Sequence, residues 1–116
     1  MRNSNKRIVV FRTDSSDKIG GGHLTRCINL GNNLRKKNIQ VFFLCQNLPG
    51  LDIKLLKNSK HKFFLLKENI NFKEDALETI KFIQKNNLSN STLFVDHYEI
   101  DFKWERLVSK YIKKII

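Results

Sequence analysis

Several residue types are scarce in this chain. Its 116 residues include one proline, one methionine, one tryptophan and five glycines. The lone proline, Pro49, and the lack of Gly/Ser-rich or Pro-rich tracts exclude a collagen-like chain and an internal linker. Two cysteines, Cys27 and Cys45, stand singly, with no CxxC pair and no surrounding His or acidic ligands. That excludes a disulfide scaffold and provides no metal site, so both read as buried thiols in a reducing compartment. No apolar run approaches the about 18 residues of a membrane span. The polar opening Met1 to Arg7 lacks the apolar middle of a signal peptide. Together these absences predict a cytoplasmic protein without membrane contact.

Acidic residues are also scarce, 11 against 22 Lys plus Arg, which leaves a formal charge of +11. Such an excess raises the question of nucleic acid. The lysines are scattered among asparagines, and there is no RNP-like aromatic motif, zinc-finger spacing or compact basic run, so no nucleic-acid partner is expected. Two readings of the charge remain: a diffuse field that draws in an anionic metabolite, or a compositional bias without a role. The length suits one domain. Hydrophobic residues at 41% and charged residues at 28% are ordinary globular usage. The expected organisation is a flexible tail over 1–6 and a single lobe over 7–116.

Apolar patterning gives the order of elements. Arg7 to Arg12 is a β-branched and aromatic strand that runs into the polar cluster Thr13 to Asp17. From Gly22 to Lys37 the positions Leu24, Cys27, Ile28, Leu30 and Leu34 recur at helical spacing, with basic residues at the end. Gln40 to Cys45 is continuously apolar, as strands covered on both faces are. A short helix over Leu51 to Asn58, a strand over Lys62 to Leu66 and a helix over Lys73 to Lys85 with Ala76, Leu77, Ile80 and Ile83 on one face follow. Then come a strand over Ser91 to Asp96, a helical stripe from Phe102 to Lys113 through Trp104, Leu107, Val108 and Ile112, and a strand beginning at Lys114. Strands alternating with helices predict an α/β fold: an open, mainly parallel Rossmann-like sheet flanked by helices. Ligands of such sheets bind beyond the C-terminal strand ends. The loops at 13–23 and 96–99 lie there.

Three of the five glycines are consecutive, Gly20, Gly21 and Gly22, between the first strand and the first helix. Without Cβ atoms the backbone can approach a ligand closely, and a helix N-terminus adds N–H groups that suit a diphosphate. Neither the G-x-G-x-x-G dinucleotide fingerprint nor a Walker A sequence is present, so no nucleotide cofactor is expected. His23 follows the glycines and is the candidate catalytic base, since an imidazole takes a proton near neutral pH; a ring that only caps the helix is the alternative. Asp14 either holds that imidazole, meets a sugar hydroxyl or makes an Asx turn. Arg26, one turn on, either approaches a phosphate or carboxylate or is solvated. At the fourth strand end, Asp96 is expected to bond loop amides and Tyr98 to line a sugar pocket. His61, in a Lys-rich turn, is expected to be solvated. No metal ligands are assigned.

The string Phe11-Arg-Thr-Asp-Ser-Ser-Asp-Lys-Ile-Gly-Gly-Gly-His-Leu-Thr-Arg-Cys27, with Phe94-Val-Asp-His-Tyr98, resembles the nucleotide-sugar hydrolases of pseudaminic acid biosynthesis. The matching stretch runs from Ile8 to about Trp104. The resemblance implies the N-terminal lobe of a two-lobed GT-B-like fold, with the C-terminal nucleotide-binding lobe absent from this chain and supplied separately. It implies metal- and cofactor-free attack of water on the anomeric carbon of UDP-2,4-diacetamido-2,4,6-trideoxy-β-L-altrose, with inversion and release of UDP. In that family's pattern His23 falls on the general base, Tyr98 on a pocket position and Asp14 on the shared first-loop motif. The acceptor lobe of a GT-B glycosyltransferase and a noncatalytic remnant are the competing readings.

Overall fold

A computed structural model of the chain describes residues 7–17, 19–68, 70–97 and 101–116. Among these residues five strands and four helices alternate. They are β1 (Ile8–Thr13), α1 (Gly22–Lys36), β2 (Gln40–Gln46), α2 (Ile53–Ser59), β3 (Lys62–Leu66), α3 (Phe72–Lys85), β4 (Thr92–Asp96), α4 (Phe102–Val108) and β5 (Lys114–Ile115). All neighbouring strands run parallel, in the order β3-β2-β1-β4-β5. The expected open parallel α/β sheet is therefore present.

The central strand β1 pairs on both sides, with Val10 opposite Phe42 of β2 and Leu93 of β4. Both faces of the sheet are consequently covered, which is why these strands read as unbroken apolar runs. On one face Phe11, Val41, Phe43 and Cys45 pack with Leu24, Cys27 and Ile28 of α1 and Leu56 of α2. On the other Val10, Phe42, Leu44 and Leu93 pack with Ala76, Ile80 and Ile83 of α3 and Trp104 and Val108 of α4. Rings of Phe11 and Phe43 stack at 5.1 Å between centroids on the α1 side. Cys27 and Cys45 are buried free thiols.

Three helices begin with a side-chain cap. Asp52 accepts from the Leu55 amide, Asn71 from the Glu74 amide, and Asp101 from the Lys103 and Trp104 amides, satisfying N–H groups that helical bonding leaves open. Helix α1 departs from that pattern, with Gly21 at its cap, no side-chain acceptor and no acidic residue in its first turn.

Several expected core positions face solvent instead. Leu30, Leu77 and Leu107 are exposed. In α1 the buried stripe is Leu24, Cys27, Ile28 and Gly31; at about 100° per residue Leu30 lies roughly 110° from its centre. Gly31 replaces it inside because a Cβ there would stand 3.2 Å from His61 Nε2 and 3.3 Å from Val41 Cγ1. Helix α4 stops at Val108 rather than Lys113, since the chain must turn for the Ile116 amide to reach the Leu93 carbonyl at 2.9 Å. His61 is also buried, not solvated: its Nε2 lies 2.8 Å from Asn32 Oδ1 and its ring packs on Phe43.

Candidate functional site

β1 leads into α1 on one face of the sheet, whereas β4 is followed by α4 on the other. The chain therefore leaves the adjacent C-terminal ends of β1 and β4 toward opposite faces, opening the crevice where ligands of such sheets bind. Parallel register sets Thr13 beside Asp96 at its floor. The loop leaving β1 folds back on itself, with the Gly20 amide bonded to the Ser16 carbonyl at 2.7 Å and the Ile19 amide to Ser16 Oγ at 2.9 Å. Gly20 takes φ +80°, a conformation that favours glycine. From there the chain enters α1 through Gly21 and Gly22, both exposed. The uncapped start of the helix is thus presented to solvent beside the crevice, carrying the partial positive charge of a helix N-terminus.

His23, the second residue of α1, reaches across to β4. Its Nδ1 lies 2.7 Å from Asp96 Oδ1. Arg26, one turn along the same face, donates from Nη2 to Asp96 Oδ2 at 2.9 Å. The Cys27 thiol lies 3.5 Å from that same oxygen. Burial pushes the Asp96 carboxyl upward, but the bonds from His23 and Arg26 outweigh it and hold the group below the usual carboxylate range. Burial, reinforced by the Asp96 charge, pushes the Cys27 thiol up to about 12, and burial takes Cys45 to about 12 as well. Neither is a nucleophile at neutral pH. Along the solvent face of α1 an open groove of about 540 Å³ runs from Gly21 and Gly22 past Thr25 and Arg26 to Asn29, Leu30 and Asn33.

Asp14 occupies a different place from the one beside His23 that the sequence allowed. Its Oδ1 accepts from Arg12 Nη1 at 2.7 Å and from the Gln46 amide at 2.8 Å. Its Oδ2 accepts from Arg12 Nη2 at 3.3 Å and lies 2.6 Å from His97 Nε2. The role of imidazole holder falls to Asp96, which was expected to bond loop amides. Asp14 in turn anchors a buried network. Arg12, fully buried at the end of β1, pairs on its other side with Asp75 of α3 through Nε and Nη2. Asp75 also accepts from Gln46 Nε2 at 2.7 Å and Trp104 Nε1 at 2.9 Å. Burial opposes ionisation of both carboxyls, yet the Arg12 charge and these bonds prevail. Asp14 is held down to about 2 and Asp75 below its ordinary range.

Of the sequence-derived candidates, the structure brings together His23, Arg26 and the Gly20 to Gly22 stretch, and sets Asp14 with Arg12 and His97. Tyr98 lies outside the described residues. The only advance sign of the buried network was a charged residue closing an apolar strand, matched by Asp75 on the apolar face of α3. Among the described residues no group of His, Cys, Asp or Glu is arranged to hold a metal ion, and no helix is long and apolar enough to cross a membrane. Set against known proteins, the chain matches no family model and no curated protein.

Proposed function

We propose that this chain is the base-bearing lobe of a nucleotide-sugar hydrolase. In this reaction His23 takes a proton from water, whose oxygen bonds to the anomeric carbon of a UDP-sugar as the carbon–oxygen bond to UDP breaks. UDP leaves with the bonding electrons, the proton rests on the imidazole, and the anomeric centre is inverted. The observation that carries the proposal is the placement of His23: directly after three glycines, at the start of an uncapped helix, and held at 2.7 Å by Asp96 in the crevice between β1 and β4. A positioned base of this kind contributes roughly 10²–10⁴-fold to rate. The groove beside it is lined by Thr25, Asn29 and Asn33, hydrogen-bonding side chains suited to hydroxyl and acetamido groups.

The resemblance of the loop and of Phe94 to Tyr98 to the pseudaminic acid hydrolases names the substrate as UDP-2,4-diacetamido-2,4,6-trideoxy-β-L-altrose. On that pattern a second lobe grips the nucleotide. The test is UDP release from this sugar nucleotide by the chain, alone and with a nucleotide-binding lobe added. Release that requires His23, and that yields free sugar when acceptor sugars are supplied, is the expected result. Absence of turnover with both lobes present, or full turnover by His23→Ala, refutes the proposal, and a glycosylated acceptor assigns the chain to a transferase instead.

A further inference from the structure

We infer that Asp96 is the positioning residue for His23, fixing its neutral ring with the proton on Nδ1 and the basic lone pair on Nε2, while Arg26 holds the second carboxylate oxygen. This rests on the reading of His23 as the base. An ionised carboxylate only accepts hydrogen bonds. A separation of 2.7 Å between Asp96 Oδ1 and Nδ1 therefore requires a proton on Nδ1. Arg26 Nη2 also lies 3.1 Å from Nδ1, and a guanidinium only donates, so both atoms cannot bond each other once Nδ1 carries its proton. The opposite tautomer, with Nδ1 accepting from Arg26, would set a lone pair 2.7 Å from an anionic oxygen. Electrostatics selects the first arrangement, in which Arg26 bonds Asp96 Oδ2 at 2.9 Å.

The geometry of the three groups fits that role. Asp96 is fixed by the β1 and β4 register and His23 by α1, so their bond ties helix to sheet at the crevice. The two side chains are 17% and 14% exposed, enough to let solvent reach the ring and too little for water to replace the bond. Arg26 is 59% exposed, and an ion pair so open adds little to stability. Its consequence is orientation: it meets the charge of Asp96 and pins the carboxylate plane. The Cys27 thiol, which burial keeps protonated, completes the contacts of Oδ2.

The test is the tautomer itself, read from long-range ¹H–¹⁵N correlations of the chain labelled with ¹⁵N-histidine, at a pH above the ordinary imidazole range. Wild type is expected to show His23 protonated at Nδ1 and not at Nε2. In Asp96→Asn the amide N–H turns toward Nδ1 and the proton moves to Nε2, whereas Asp96→Glu keeps Nδ1 protonated. UDP release, measured in parallel, should fall up to about 10⁴-fold in Asp96→Asn, as expected for a base caught in the wrong tautomer, and recover in part in Asp96→Glu. An Nε2–H ring in wild type, or an unchanged tautomer in a folded Asp96→Asn protein, overturns the assignment. Because the wild-type spectrum needs no variant, a misfolded Asp96→Asn does not spare it. A tautomer that shifts as expected in a protein that releases no UDP upholds the positioning role and refutes the hydrolase alone.

Discussion

Replacing Arg12 with methionine removes a cation that two buried carboxylates share. The guanidinium is 0% exposed, and the side chains of Asp14 and Asp75 are 1% and 4% exposed. Breaking a buried pair by deleting one partner costs about 3–5 kcal/mol, because the remaining charge stays desolvated. Against burial, Asp14 is held down from 3.8 to about 2 by its bond from His97 together with the Arg12 charge, so removing Arg12 takes away part of that depression. Asp75, shifted in the same direction by the same cation, contributes further. Against a native stability of about 5–15 kcal/mol, a loss of this size is a large fraction of the total. Urea unfolding followed by far-ultraviolet circular dichroism should show the midpoint falling by about 2 M with an unchanged slope of about 1–3 kcal/mol/M. Arg12→Lys should lose most of the same stability, since one ammonium cannot replace Nε, Nη1 and Nη2 at two carboxylates. Acid supplies an independent check. Both carboxyls are depressed on folding, so their contribution is complete above the unfolded value near 4 and is lost as pH falls toward 2. In Arg12→Met the unpaired carboxyls instead gain from protonation, and the gap from wild type should narrow below about pH 4. A loss under about 1 kcal/mol at neutral pH, or a gap that does not narrow in acid, would refute the assignment of Arg12 as the electrostatic centre of the fold.

Three further outcomes follow from local geometry. Gly50 has φ +86°, and a Cβ there would stand 2.5 Å from the Asp17 amide nitrogen, which bonds the Pro49 carbonyl. Gly50→Ala should therefore destabilise by at least about 1–2 kcal/mol and shift the backbone amide resonances of 15–20, leaving those of α3 in place. Lys60, the left-handed C-cap of α2 at φ 63°, lacks the glycine that such a position favours, so Lys60→Gly should raise the urea midpoint by the equivalent of about 0.5–1 kcal/mol. Burial, with Arg35 nearby, depresses the His61 imidazole. The folded chain thus favours neutral His61, and its contribution is present above about pH 6.5 and lost as pH falls below it. That slope should disappear in His61→Gln, measured as unfolding free energy between about pH 7 and 5.

Local signals made the architecture legible. A strand covered on both faces needs apolar residues at nearly every position, so Gln40 to Cys45 could be recognised without its neighbours. The Asp and Asn caps of three helices are likewise sequence-local. Helix faces were harder, because a leucine such as Leu30 or Leu77 adds to an apolar count whether or not it lies on the buried arc. The glycines and His23 were readable because they are contiguous. Their partners were not: Asp96 lies 73 residues from His23, and Asp75 lies 63 from Arg12. The first pairing exists only once β4 is placed beside β1 on the side opposite β2, and the second only once α3 packs across the face of the sheet.

That same strand order separates the two roles of the acidic residues. Asp96 ends β4 and Asp14 follows the last residue of the neighbouring β1, and each contacts a histidine. What distinguishes them is the number of competing donors and the access of water. Asp14, 2% exposed, has both oxygens occupied by Arg12, with Gln46 and His97 added, so no capacity remains for a ligand and its removal is a matter of stability. Asp96, with a 17% exposed side chain, is bonded by an exposed arginine and an imidazole at the open edge, so its removal changes the protonation geometry of His23 more than the stability of the fold. The sequence placed Asp14 as the ligand-side residue because it sits in the glycine loop's own motif. Burial reverses that order: in this sheet the deeper carboxylate holds the lobe together, and the shallower one sets the histidine that faces the crevice.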